Sequence, residues 1–106
     1  MKQPIESNQF SDANGNPEGG QTFAPGLCIA WQRGPLGRGE DRQAPNGCFV
    51  ETVIAAAMDR LEFYQRSKFA SKYNADALMY LQAALAVLEA RTAEREARAV
   101  EGTHGV

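Results

Sequence analysis

The sequence predicts an α+β protein that is mostly α-helical, in which a short N-terminal β-strand segment is followed by an antiparallel two-helix hairpin. Two segments in the second half of the chain have apolar residues at helical spacing, and the polar stretch 68–74 separates them. A short apolar run that contains aromatic and β-branched residues precedes both segments. Because a two-helix hairpin cannot bury its apolar face within itself, we expect the chain to oligomerise.

Residues 1–25 predict a disordered or flexible tail. They are rich in Gln, Ser, Asn, Gly and Pro and contain few apolar side chains, so that burial would not offset the entropy that ordering costs. We expect residues 26–106 to form a single domain. One core of that size contributes only a few kcal/mol, which again favours self-association.

Residues 27–32 predict a β-strand, because Cys28, Ile29 and Trp31 lie in an apolar run that Gly34-Pro35 ends. Residues 33–47 contain four glycines, two prolines and three arginines, a composition typical of an irregular loop. Segment 26–47 is therefore predicted to be a strand and a Gly/Arg-rich loop. Since one strand is not stable alone, it should pair with a short strand in the loop or with another subunit.

Segment 48–106 predicts the helical hairpin and a C-terminal tail. Asn46 is the predicted N-cap of the first helix and Asn74 that of the second. The apolar stripe of the first helix consists of Val50, Val53, Ile54, Ala57, Leu61 and Tyr64. The second helix has leucines at spacings of three and four, namely Leu78, Leu81, Leu85 and Leu88. We expect this helix to fray near Glu101-Gly102.

Charge and cysteine content exclude several classes of function. The net charge of −2, with both signs evenly mixed, argues against a DNA or RNA polymer as partner. The apolar runs are too short to span a bilayer and the N-terminus lacks a signal peptide's apolar segment, so a cytosolic protein is expected. In that setting Cys28 and Cys48 are predicted to be small buried side chains rather than a disulfide. With one His, the chain cannot complete a zinc site unless a carboxylate joins the two thiols.

The sequence offers no good catalytic residue, so neither an enzyme nor a cofactor is expected. The only His, His104, lies close to the C-terminal end, where a general base would not be held in place. The glycine-rich run 34–39 precedes Glu40-Asp41 rather than Lys-Ser or Lys-Thr, so it is no Walker loop. A flexible connector and a loop that cradles a ligand remain the two interpretations.

Arginines and aromatic residues each allow two interpretations. Arg91, Arg95 and Arg98 share one face of the second helix, and this face either binds phosphate groups or is a solvated surface paired with glutamates. Tyr64 and Tyr73 lie near the hairpin turn, where their rings either pack in the core or stack on a nucleobase.

Several blocks of the chain, in their order, resemble a family of phage proteins. The blocks are Trp31-Gln32-Arg33-Gly34-Pro35, Asn46-Gly47, Asp59-Arg60-Leu61, Lys68-Phe69-Ala70, Asn74-Ala75, Ala90-Arg91-Thr92 and Val100-Glu101-Gly102-Thr103-His104. They resemble the helical-hairpin family of phage anti-defence sponges, whose branches are the Thoeris anti-defence proteins and the anti-CBASS cyclic-nucleotide sponges. The strand-plus-loop half is similar to the Thoeris branch.

The resemblance implies a non-catalytic sponge that sequesters the nucleotide second messengers of bacterial defence in the cytoplasm of the infected host. It implies cyclic ADP-ribose isomers made by Thoeris TIR proteins as ligands, with cyclic di- or trinucleotides of CBASS as further candidates. It also implies assembly with copies of itself into dimers or hexamers. No cofactor, metal or membrane is implied.

Residue roles follow from the same resemblance. Tyr64 would stack on the base, Asn74 would supply a polar contact, and Arg91 would face a phosphate. Arg38 would be a second phosphate contact. Thr103 and His104 would belong to separate trinucleotide pockets.

Two rival functions remain open from the residues alone. The leucine pattern suits a structural or adaptor hairpin that binds a protein partner. The clustered arginines and acidic residues suit a hydrolase that degrades the same messengers.

Overall fold

A computed structural model describes residues 1–106, which form three β-strands, a short 3-10 helix and two α-helices. In chain order these are β1 (Glu6–Ser11), β2 (Pro17–Ala24), β3 (Leu27–Ala30), the 3-10 helix Gly39–Asp41, α1 (Val50–Gln65) and α2 (Lys72–Ala97). The chain divides into two compact units. Residues 1–49 and 99–106 form the first, called here the sheet unit, and residues 50–98 form the second, the hairpin unit.

The predicted fold class is wrong, because the chain contains a three-stranded antiparallel sheet where one strand was expected. The strand order is β1-β2-β3, and the stretch 1–25, predicted to be a flexible tail, contains β1 and β2. β3 ends at Ala30 and pairs with β2, not with a strand in the loop. The prediction failed because it weighed apolar burial alone, whereas backbone pairing and polar turn contacts order these strands.

The turn between β1 and β2 is held by the carboxylate of Asp12. Its Oδ1 accepts hydrogen bonds from the backbone N–H groups of Asn14 and Asn16, both at 2.9 Å. Its Oδ2 accepts one from Nδ2 of Asn16 at 3.1 Å. Because these bonds favour the ionised carboxylate, the backbone N–H of Asn16 and then its amide lower the pKa of Asp12, with a smaller lowering from His104.

One face of the sheet contains buried residues, whereas the other face is exposed. Thr22 and Ile29 lie opposite each other in the β2–β3 ladder and are both buried, and the indole N–H of Trp31 donates to Oγ1 of Thr22 at 2.8 Å. Ile29 is the only buried hydrophobic residue of the chain. Cys28, opposite Phe23, is exposed and Cys48 is half-buried, each as a free thiol, so the prediction that both cysteines are buried is wrong.

Both predicted helix caps are also wrong. The helix α1 begins at Val50, and the side chain of Asn46 instead bonds to the backbone of Arg33. Ser71 caps α2, since its Oγ accepts from the backbone N–H of Asn74 at 3.1 Å. The helix α2 ends at Ala97, before the expected position, and the chain turns at Ala99, which has a φ of 60°.

The helices α1 and α2 pack against each other but bury little. The leucine pattern of α2 is half-buried at each of its positions, Leu78, Leu81, Leu85 and Leu88. Neither helix contains a fully buried residue. Neither is long and apolar enough to cross a membrane.

We expect the β1–β2 turn to loosen in acid. The pKa of Asp12 is lowered in the folded chain, so its stabilising effect is present above the unfolded carboxyl's pKa of about 3.9 and is lost as the pH falls through the lower folded value. The protection of the Asn14 and Asn16 amides against hydrogen exchange, measured by NMR relative to the intrinsic rate at each pH, should fall in that range. Asp12→Asn, which does not titrate, should show no such step; an equal step in both proteins would contradict the assignment.

Candidate functional site

Tyr64 and Asn74 lie on the two sides of the hairpin turn. Tyr64 is the penultimate residue of α1, and Asn74 is the third residue of α2. Gln65, the last residue of α1, joins them by hydrogen bonding directly to the side chain of Asn74. The prediction that both residues lie near the turn is thus confirmed, while their role as ligand contacts stays a prediction.

Four hydrogen bonds of Gln65 and Asn74 hold the turn. Oε1 of Gln65 accepts from the backbone N–H of Ser71 at 2.9 Å and from Nδ2 of Asn74 at 3.1 Å. Nε2 of Gln65 donates to the carbonyl oxygen of Ser71 at 3.0 Å. Nδ2 of Asn74 also donates to the carbonyl oxygen of Phe69 at 3.1 Å. We call these residues, Gln65, Phe69, Ser71 and Asn74, the turn network.

The turn network determines which atom of Asn74 remains available. A carbonyl oxygen can only accept, so the atom of Asn74 that faces Phe69 must be the amide nitrogen. That nitrogen has two hydrogens, and both are used, one on Phe69 and one on Gln65. Only Oδ1 has no partner within the chain. Asn74 therefore offers an acceptor, which suits the N–H or O–H of a ligand and does not suit a phosphate oxygen.

Arg60 contacts the ring of Tyr64, although the sequence analysis assigned it no ligand contact. Its guanidinium carbon lies 4.9 Å from the ring centroid of Tyr64 and 4.9 Å from that of Phe63. These distances are typical of a cation–π contact. The spacing of four residues between Arg60 and Tyr64, which places them on one helix face, is the signal that would have identified it.

Arg91 is not brought to the turn within one chain. It follows Asn74 by 17 positions on α2, which corresponds to about 25 Å along a helix axis. Its side chain is exposed and has no ion pair or hydrogen bond in the chain, whereas the nearby Arg98 is paired with Glu94. A ligand site that combines Arg91 with Tyr64 and Asn74 therefore cannot form from a single hairpin.

Arg38 lies in the sheet unit, where the Gly-rich loop is fastened to the C-terminal tail. Nη1 of Arg38 donates to the carbonyl oxygen of Glu101 at 2.9 Å. Arg42 pairs with the carboxylate of Glu101 through two bonds of 2.7 and 3.3 Å. The backbone N–H of Gly37 donates to the carbonyl oxygen of Gly102 at 2.8 Å. We call these contacts the loop–tail clamp.

The loop–tail clamp also explains why residue 102 is a glycine. A Cβ on Gly102 would lie 2.3 Å from the carbonyl oxygen of Gly37, which is far too close, and its φ of 80° suits glycine. The guanidinium of Arg38 is thus already bonded within the chain. Its role as a second phosphate contact stays a prediction.

The remaining predicted residues, Thr103 and His104, follow the clamp. Oγ1 of Thr103 donates to the carbonyl oxygen of Val100 and accepts from the backbone N–H of Gly105 at 3.0 Å, so it closes a turn of the tail. His104 is exposed. No group of three or more His, Cys, Asp or Glu side chains is arranged to hold a metal ion. The assignment of Thr103 and His104 to a second pocket is untested and stays a prediction.

Comparison with known proteins relates this chain to phage proteins that counter bacterial defence. It is 42% identical, over 76 residues or 72% of its length, to the protein named "Thoeris anti-defense 1" of Bacillus phage SBSphiJ7. The matched stretch is 51% of that protein, so the chain spans about half the length of the curated relative it matches. No protein-family model matches the chain. The similarity supports a relationship to the Thoeris anti-defence family.

We expect Arg42→Gln to release the C-terminal tail from the Gly-rich loop. The carboxylate of Glu101 is 18% exposed and the Arg42 side chain 45%, so loss of this partly screened pair should lower the free energy of unfolding by about 1 kcal/mol. Denaturant unfolding would measure the loss. Amide exchange at Gly37, whose N–H bonds to the tail, should accelerate.

Arg66→Gln is the matched control, because Arg66 is exposed and its side chain has no partner in the chain. That variant should unfold as the parent does. Unchanged Gly37 exchange in Arg42→Gln would show that the ion pair does not hold the tail.

Proposed function

We propose that the chain is a member of the Thoeris anti-defence family and acts as a phage immune-evasion sponge. In this proposal it binds nucleotide second messengers of bacterial defence in the cytoplasm of the infected host and does not degrade them. Cyclic ADP-ribose isomers made by Thoeris TIR proteins are the first candidates. Cyclic di- or trinucleotides of CBASS are the second.

The observation that carries this proposal is the hairpin turn in a chain that is 42% identical to an anti-Thoeris protein. That turn is flanked by the aromatic ring of Tyr64, at the end of α1, and by Asn74, at the start of α2, whose amide oxygen has no partner in the chain. The ring offers a stacking surface for a base, and stacking on an aromatic side chain contributes about 1–3 kcal/mol per base. The oxygen of Asn74 accepts from a base amino group or a ribose hydroxyl. Arg60 adds a positive charge near the phosphates.

A complete site in this proposal requires two copies of the chain. Arg91 lies about 25 Å along α2 from Asn74, and the midpoint between them falls at Gln82 and Ala83. If two α2 helices pack antiparallel about this midpoint, the partner subunit's Arg91 reaches the same height along the helix as Asn74. Such an arrangement is an isologous dimer with two equivalent sites.

The exposed surface of α2 supports self-association at this midpoint. Met79 is 57% exposed, Tyr80 70% and Val87 68%, and Ala83 and Ala86 between them are exposed as well. Burying a large apolar side chain contributes about 1.5–3 kcal/mol. A second copy of the hairpin would therefore gain several such contacts, and higher assemblies such as a hexamer would need further surfaces.

Titration calorimetry with cyclic ADP-ribose isomers and cyclic oligonucleotides tests the proposal. We expect at least one of these nucleotides to bind at micromolar concentration or tighter. Tyr64→Ala should weaken binding by about fivefold or more, because a lost stacking contact contributes about 1–3 kcal/mol. Tyr64→Phe, which keeps the ring and its contact with Arg60, should bind nearly as the parent does. The bound nucleotide should be recovered intact after heating.

The other outcomes separate the rival functions. If no member of the panel binds, the sponge proposal fails and the exposed apolar face of α2 favours an adaptor hairpin. If the nucleotide is recovered cleaved, the protein is a hydrolase. If Tyr64→Phe loses binding as completely as Tyr64→Ala, the ring is not the stacking surface.

Mixed variants test whether two chains share one site. Tyr64→Ala and Arg91→Gln should each bind poorly alone, because every site in either homodimer lacks one group. A heterodimer of the two has one site with both groups and one with neither, so refolding them together should restore binding in up to half of the sites of each heterodimer. Calorimetric stoichiometry measures this recovery. Mixtures that bind no better than the separate variants would exclude a shared site.

A further inference from the structure

The sheet unit contains a cavity that the proposed function does not use. It has a volume of about 230 Å³ and is lined by Phe10, Gly20, Gln21, Ala30 and Arg33. These residues come from β1, β2 and β3 and from the segment that follows β3. The cavity therefore lies against the sheet itself.

Small residues keep the floor of the cavity open. Gly20 is buried and has a φ of 148°, and a Cβ there would lie 2.4 Å from the carbonyl oxygen of Asn8. No other residue fits this position without moving β1. Ala30 beside it contributes only a methyl group. Gly20 and Ala30 therefore contribute little side-chain volume to the lining of the cavity.

Arg33 is fixed along its backbone and stem, whereas its charged group is free. Its backbone N–H donates to Oδ1 of Asn46 at 2.8 Å, and its carbonyl oxygen accepts from Nδ2 of the same residue at 3.2 Å. Its Cγ rests over Gly19, where a Cβ would come within 2.6 Å of it. Its guanidinium has no hydrogen bond or ion pair with any residue of the chain. A guanidinium without a partner, on a side chain whose backbone is held, suits an oxyanion ligand.

The ring of Phe10 lines one side of the cavity, next to an irregularity in β1. The ladder between β1 and β2 shifts register between Gln9 and Ser11, and a β-bulge of this kind redirects a side chain. The Phe10 side chain is 54% exposed and lines the cavity. The carboxamide of Gln21, which also has no partner, adds one donor group and one acceptor.

We propose that this cavity binds a small planar aromatic molecule that carries one carboxylate or phosphate group. The ring lies over Gly20 and Ala30 against Phe10, and the oxyanion meets the fork of Arg33. Pockets for drug-sized ligands measure about 300–1,000 Å³, so a cavity of about 230 Å³ has room for one ring with its anion and excludes a whole dinucleotide. The site is thus distinct in ligand size from the site proposed at the hairpin turn.

NMR titration of the full chain tests this proposal with benzoate, phenyl phosphate and inorganic phosphate as probes. We expect saturable shifts of the Gly20, Gln21 and Ala30 amides with benzoate or phenyl phosphate, and the tighter of the two identifies the anion. Inorganic phosphate should bind at least tenfold more weakly than phenyl phosphate, because it lacks the ring. Arg33→Gln should weaken aromatic anion binding at least tenfold, and Phe10→Ser should weaken it severalfold.

Arg66→Gln, in the hairpin unit, is the control for general loss of positive charge and should leave the titration unchanged. Arg33→Gln keeps the backbone bonds to Asn46, so the spectrum of its sheet amides should show the parent's fold. The proposal is overturned if neither aromatic anion gives saturable shifts at these three amides. It is also overturned if folded Arg33→Gln binds as tightly as the parent, or if inorganic phosphate binds as well as phenyl phosphate.

Discussion

The hydrogen bonds between Gln65, Ser71 and Asn74 are the constraint on which the hairpin unit depends. Neither helix has a fully buried residue, so apolar packing between α1 and α2 alone leaves their relative position weakly defined. Gln65 closes the turn by bonding to both backbone groups of Ser71. The same side chain orients the amide of Asn74. Gln65 and Asn74 therefore hold the turn and also orient the proposed ligand contact. A change at Asn74 alters the turn as well as any ligand contact.

A similar shortage of buried apolar surface explains the polar contacts of the sheet unit. Ile29 is its only buried hydrophobic residue, so order must come from hydrogen bonds and ion pairs. Asp12 provides them at the β1–β2 turn, and Arg42 with Glu101 provides them between the loop and the tail. Such contacts define conformation well but contribute little free energy each. Burial of the exposed apolar face of α2 in the proposed dimer would add stability that these polar contacts do not supply.

The sequence predicted the helical half of the chain better than the sheet. Apolar periodicity located α1 and α2, because a repeating stripe over 16 and 26 residues is a strong signal. The predicted caps were wrong. Asn46 and Asn74 are of a residue type that caps helices well, but their side chains bond instead to the backbone of Arg33 and to the turn network. The prediction missed β1 and β2 because their residues are mostly polar and show no alternation of polar and apolar side chains. The turn from Asp12 to Asn16 would have indicated these strands, but an argument from amino-acid composition takes no account of a turn.

The candidate site was predictable only in part, because sequence spacing does not reveal which guanidinium groups are already bonded. Arg38 and Arg42 lie in a glycine-rich loop that resembles an anion-binding loop by composition, yet both bond to Glu101. The guanidinium groups of Arg33 and Arg91, by contrast, have no partner in the chain. An anion at Arg42 would have to displace a carboxylate that already satisfies it, whereas an anion at Arg33 or Arg91 replaces only water. Arg33 and Arg91, and not Arg38 and Arg42, are therefore where this chain gains most by binding a negatively charged ligand.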